Sequence, residues 1–238
     1  EDLAMKFFEH FALIASALNK GGGWNEEDGF YYDVLHLPDG SSRQLKALSM
    51  VGLIPIFAVT TLGPEPMARL PEFMRRAEWF TAHRPEAMGV IDHISHESHA
   101  GWRLLSIVSP ERLRRILVRV LDQERFLSPY GVRALSRWHR DHPLEVDVGG
   151  YMARLQYEPA ESTTGLFGGN SNWRGPIWMP VNHLLVEVLR VYHRFLGSDF
   201  RVECPTGSGR LMNLDEVADE IARRLIAIFT DSAGRRPV

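Results

Sequence analysis

Two connecting stretches, residues 21–44 and 127–178, constrain this chain more than anything else in it. Each lies between segments with helical periodicity, and each far exceeds the ~2 to 8 residues that ordinarily join helices in a bundle. Connections of that length are as a rule either functional or disordered. These two are studded with tryptophan, tyrosine and phenylalanine among glycines. Disorder is therefore disfavoured, and the chemistry is to be sought in them.

The segments around them read as helices. Leu3, Phe7, Phe11, Ile14 and Leu18 recur at spacings of three and four, and Asn19, Lys20 and Gly21 stop the run. Residues 45–62 read as a mostly apolar helix, bent or restarted at Pro55 because proline has no amide for its turn. Residues 71–83 form a short amphipathic helix with proline in its first turn. Ser109 is the expected cap of the next helix and Pro110 its first residue. Leu113, Ile116, Leu117, Val120 and Leu121 form its apolar stripe. Residues 182–195, closed by Gly197, and 214–229 complete the set. Residues 146–148 and 152–157 have strand character, without enough alternation to found a sheet. No strand–helix–strand unit recurs, so the expectation is an all-α layered architecture with residues 1–238 as one domain. The chain opens on Glu1 inside a helical pattern and closes after a helix, which reads as an excerpt from a larger protein.

Charge and cysteine content narrow the partners. Lys plus Arg total 27 against 30 Asp plus Glu, a net charge of -3, which disfavours nucleic acid. No stretch approaches the ~18 apolar residues that span a bilayer, so no membrane partner is expected. The single cysteine, Cys204, excludes an internal disulfide and a multi-cysteine zinc site, and a reducing, cytoplasmic setting fits best.

The first loop sets Glu26, Glu27, Asp28 and Asp33 among Trp24, Phe30, Tyr31 and Tyr32. Rings stack on sugar C–H faces while carboxylates accept from hydroxyls, so the mixture suits a neutral polyol. A structural hairpin turning at Asp28 and Gly29 explains the same residues, and calcium is a further reading that lacks the helix–loop–helix spacing. The second loop ends in Asn172, Trp173, Arg174, Gly175, Pro176, Ile177 and Trp178, two indoles fit to wall a sugar pocket. Gly168 and Gly169 lack the strand and the Gly-Lys-Ser/Thr ending of a phosphate loop. His93, His96, Glu97 and His99 could hold a metal, but position 100 is alanine where a zinc-hydrolase helix needs histidine. Ser136 with His139 lacks a nucleophile elbow, and Cys204 has no histidine beside it in sequence. Tyr130, Arg133 and Trp138 read as a loop floor that positions a ligand. No metal or cofactor is expected.

Residues 165–182 strongly resemble the corresponding segment of glycoside hydrolase family 63, the processing α-glucosidase type, and its bacterial and fungal glucosidase-like relatives. The resemblance extends through residues 24–33, 48–58, 126–136 and 199–209, the last containing Glu203, Cys204, Pro205, Thr206 and Gly207. It implies part of an (α/α)6 toroid, with loops gathered at one mouth around an oligosaccharide or small glucoside. It implies inverting hydrolysis by a carboxylic acid and an opposed carboxylate about 6.5 to 9.5 Å apart. The resemblance puts the family's acid and base outside this chain, in missing flanking segments, so the isolated stretch is expected to be inactive. Sugar stacking is carried to Trp173 and Trp178, orientation to Arg174 and Asn172, and further contacts to Trp24, Asp28, Tyr130 and Arg133. Asp33 is the carboxylate nominated as closest to the chemistry. A non-catalytic carbohydrate-binding or helical scaffold protein is the alternative.

Overall fold

The computed structural model describes residues 1–84, 98, 100–159, 163 and 176–230. Helix α1, Asp2–Lys20, ends where Gly21 donates its N–H to Ala17 O at 2.7 Å. Two hairpins follow: β1 (Trp24–Asn25) with β2 (Phe30–Tyr31), and β3 (Asp33–His36) with β4 (Ser42–Leu45). A 3-10 turn, Met50–Leu53, leads into the single turn α2 (Ile54–Phe57) and strand β5 (Val59–Leu62). Helices α3 (Pro64–Ala68) and α4 (Pro71–His83) come next. Strand β6 (Arg103–Ser106) then pairs antiparallel with β5.

Helix α5, Pro110–Val120, begins as the capping pattern requires: Ser109 Oγ accepts from Arg112 N at 3.2 Å and Pro110 takes the first turn. Three more hairpins, β7 (Leu127–Ser128) with β8 (Gly131–Val132), β9 (Leu144–Val148) with β10 (Tyr151–Leu155), and β11 (Arg201–Glu203) with β12 (Leu211–Asn213), alternate with α6 (Met179–Leu196) and α7 (Leu214–Ile226). Asn213 caps α7 through a full capping box with Glu216.

The all-α expectation, and the partial (α/α)6 toroid with it, is overturned. Among the described residues the strands form six separate two-stranded antiparallel sheets between the helices, a mixed α/β arrangement and no closed helical ring. The connections meet their own backbone hydrogen-bond demand locally, as hairpins, rather than spanning from helix to helix. Positive φ at Gly149 and Gly150 closes the β9–β10 turn, a geometry that suits the right-handed twist of its strands. Residues 45–62 are not one helix. Val59, Thr60 and Thr61 are β-branched, stiff at χ1, and pair as strand with Leu104, Leu105 and Ser106.

The main core joins three helices. Leu113, Ile116, Leu117 and Val120 of α5 meet Leu185, Leu189 and Tyr192 of α6 and Val217, Ala218 and Ile221 of α7. A second cluster joins α1 to α4 through Met5, Phe8, Ala12, Ala15, Phe73 and Ala77. Phe8 stands edge-on to Phe73 and Phe80, 5.9 and 5.8 Å between centroids. The stripe that announced α1 is thus not the buried one. Leu3, Phe7 and Ile14 are 67, 67 and 61% exposed.

Candidate functional site

The acidic aromatic loop is the β1–β2 hairpin. Asn25 Oδ1 accepts from Asp28 N at 2.7 Å, and Gly29 takes φ +61°, closing the turn. Arg112, Arg115 and Arg119 lie three and four residues apart on one face of α5 and reach across it. Arg112 and Arg115 lie over the Trp24 ring, 4.6 and 5.3 Å from its centroid. Arg115 pairs with Glu26 at 2.7 Å and Arg112 at 3.4 Å. Asp28 takes Lys46 at 2.9 Å, the Tyr32 hydroxyl at 3.2 Å and Arg119 at 3.4 Å. Trp24 is buried and stands at an angle to Tyr31, 4.8 Å away.

These pairings fix the proton chemistry. The hydrogen bond from Arg115 holds Glu26 below the usual carboxylate range. Burial pushes Asp28 upward, but Lys46, Tyr32 and Arg119 outweigh it and leave Asp28 low as well. A glycosidic proton donor needs the opposite shift. With the toroid absent, the expected identity as an inverting glycoside hydrolase is overturned, and nothing in the described residues supports a specific catalytic assignment. Among the described residues no group of three or more His, Cys, Asp or Glu side chains is placed to hold a metal.

Asp33 stands apart from its neighbours. It is exposed, makes no ion pair with another described residue, and lies at a cleft of about 330 Å³. Tyr31, Tyr32, Val51, Gly52, Ile54 and Pro55 line that cleft, together with Ile14 and Leu18 of α1. The walls are mostly apolar and the volume sits at the low end of small-ligand sites. Gly52 permits the close approach: a Cβ there would fall 2.3 Å from Phe30 Cε1 and 2.5 Å from Tyr31 O.

Trp178 faces different surroundings. With Met50, Leu53, Arg133 and Asn182 it lines a cavity of about 10 Å³, no more than one water would occupy. Asn182 Oδ1 accepts from Val132 N at 2.7 Å, and its Nδ2 donates to Val132 O and Trp178 O, both at 2.9 Å. Arg133 is buried and donates to Leu127 O at 2.8 Å. Tyr130 is half exposed in the β7–β8 turn. The expected single mouth is therefore divided: the 3-10 turn shows Val51 and Gly52 to the Asp33 cleft, Met50 and Leu53 to the Trp178 cavity. Asn172, Trp173 and Arg174 lie outside the described residues, as do His93, His96, Glu97 and His99.

Sequence reasoning missed Ile54 and Pro55 as cleft walls because they were assigned to a buried helix. The adjacent β-branched run 59–61 was the available signal. The nucleophile candidates set aside are structural. Ser136 Oγ accepts from Trp138 N to cap a 3-10 turn, and His139 Nε2 accepts from Leu48 N at 2.9 Å. Cys204 is buried, and burial pushes its thiol up to about 11, so it stays protonated at neutral pH.

No family model matches the chain. It is similar to the uncharacterized protein YMR196W of Saccharomyces cerevisiae, 44% identical over 256 residues that take in 100% of this chain and 23% of that protein. It is also similar to the mannosyl-oligosaccharide glucosidase of the same yeast, 26% identical over 115 residues, 46% of this chain and 11% of that enzyme. The chain thus spans less than a quarter of either relative, and its relation to the glucosidase is a distant one. No helix among the described residues is long and apolar enough to cross a membrane.

Proposed function

We propose that the chain is a non-catalytic, carbohydrate-binding stretch of a longer protein, descended from the glycoside hydrolase family 63 group, with a saccharide contacting the cleft at Asp33. The observation that carries this reading is the contrast in the first loop. Glu26 and Asp28 are spent on cations, while Asp33 keeps its carboxylate open beside an apolar cleft with tyrosine walls. A ring that covers Val51 and Ile54 removes apolar surface from water, and a hydroxyl donates to Asp33. The distant relation to a glucosidase supports a glucose-containing ligand.

The test is a titration with glucose and with maltotriose, followed by calorimetry and amide chemical shifts. Saturable binding with shifts concentrated at Tyr31, Asp33, Val51 and Ile54 is the expected outcome. Asp33→Asn should weaken binding by about tenfold through loss of one charge-assisted bond. Absence of saturation with both sugars at about 10 mM, a free energy under ~3 kcal/mol, sinks the reading. A scaffold role is the second reading, favoured by the exposed Leu3, Phe7 and Ile14 of α1. It gains ground if Leu3→Ser and Phe7→Ser abolish protein association while saccharide never binds.

A further inference from the structure

A second cleft, between Asp28 of the β1–β2 hairpin and α5, has a different chemistry. It measures about 330 Å³ and is lined by Arg115, Arg119 and Arg125 with Asp28, Asp122 and Val118. Three guanidinium groups face two carboxylates, and both carboxylates are already engaged. Asp28 Oδ2 takes Lys46 at 2.9 Å and the Tyr32 hydroxyl, while Asp122 takes Arg125 Nε at 3.2 Å and the backbone N–H of Glu124 at 2.8 Å.

Arg119 is only partly satisfied. Its Nε donates to Asp28 O, and its only carboxylate contact is the long 3.4 Å approach of Nη2 to an Asp28 that Lys46 holds more closely. Its Nη1, and both Nη atoms of Arg125, have no hydrogen-bond acceptor among the described residues. Burial and the neighbouring Arg125 charge hold Arg119 below the usual guanidinium value, against the opposing pull of Tyr32 and Asp28. Two half-buried cations with unused Nη donors beside one cleft, Arg125 lying 5.1 Å over the Trp138 ring, match a multidentate oxyanion. Arg115 is closed at its own end by Glu26, which leaves the Arg119–Arg125 pair as the receptor.

We propose that this cleft binds a tetrahedral oxyanion, a phosphate group held between Arg119 and Arg125. The site is separate from the Asp33 cleft and stands or falls independently of any saccharide there.

Phosphorus NMR and calorimetry on the whole chain at low ionic strength test it, with inorganic phosphate in one arm and glucose 6-phosphate in the other. Saturable binding is expected, and Arg119→Gln and Arg125→Gln should each weaken it by about tenfold, the value of one lost charge-assisted bond. Arg190→Gln, a distant surface arginine paired with Glu187 and Asp219, should leave it unchanged. Equal affinity in the two arms supports a site for the free ion, and tighter glucose 6-phosphate supports an ester. If Arg119→Gln does not fold, Arg125→Gln decides. No saturation in either arm up to about 10 mM overturns the proposal, as does binding unmoved by Arg125→Gln.

Discussion

The two flanks of the 3-10 turn Met50–Leu53 use neighbouring residues to opposite ends. On the Trp178 flank the buried amide is fully engaged: Asn182 makes three hydrogen bonds to backbone, and the remaining space is about 10 Å³. On the Asp33 flank the cleft is some thirty times larger, its walls are apolar and its nominated carboxylate is open. The difference teaches that aromatic residues in a long loop do not by themselves make a binding surface. What separates the flanks is whether the polar atoms are already satisfied within the fold.

The sealed flank should be the costlier to disturb. Asn182→Leu strands the N–H and C=O of Val132 in the core, so chemical denaturation should report a loss of about 3 kcal/mol. A loss below ~1 kcal/mol would mean that the Asn182 bonds do not hold the flank together.

A smaller effect should come from acid. His139 Nε2 accepts a hydrogen bond from Leu48 N and is buried, and burial holds its imidazole below the ordinary value of 6.5. The unfolded chain then takes up a proton more readily than the folded one. Stability is complete above pH ~6.5 and declines as the pH falls below it, levelling beneath the folded value. Urea midpoints measured from pH 7.5 to 5 should show this slope, and His139→Gln should flatten it. An unchanged slope in the variant would assign the acid sensitivity elsewhere.

The smallest change in stability belongs to the open flank. Ile54 is 54% exposed, so Ile54→Ser should alter stability by no more than ~0.5 kcal/mol. The same variant should lose maltotriose affinity if the cleft binds sugar. A large drop in melting temperature would show that this wall is core rather than site.

Much of the helical framework was legible because its signals are local. Ser109, Pro110 and the stripe from Leu113 to Leu121 specified α5 within a dozen residues, and the five stripe residues are fully buried. Residues 45–62 misled because a short apolar run does not distinguish buried helix from buried strand. The β7–β8 hairpin escaped because its strands have two residues each, too few to show alternation. The place of Asp28 was illegible for a different reason. Its turn with Gly29 was readable, but one of its two cations, Arg119, is 91 positions away, and that pairing exists only once α5 packs on the hairpin.

Gly52 carries a consequence for how such a chain changes over time. With Phe30 and Tyr31 pressed against its α-carbon, that position admits no side chain without parting the hairpin from the 3-10 turn. Drift in the cleft's shape is therefore channelled to Val51 and Ile54, where volume can be added or removed while the spine behind them stays fixed. A mutational library that spares position 52 and varies those two should reshape the cavity's selectivity far more often than it ruins the fold.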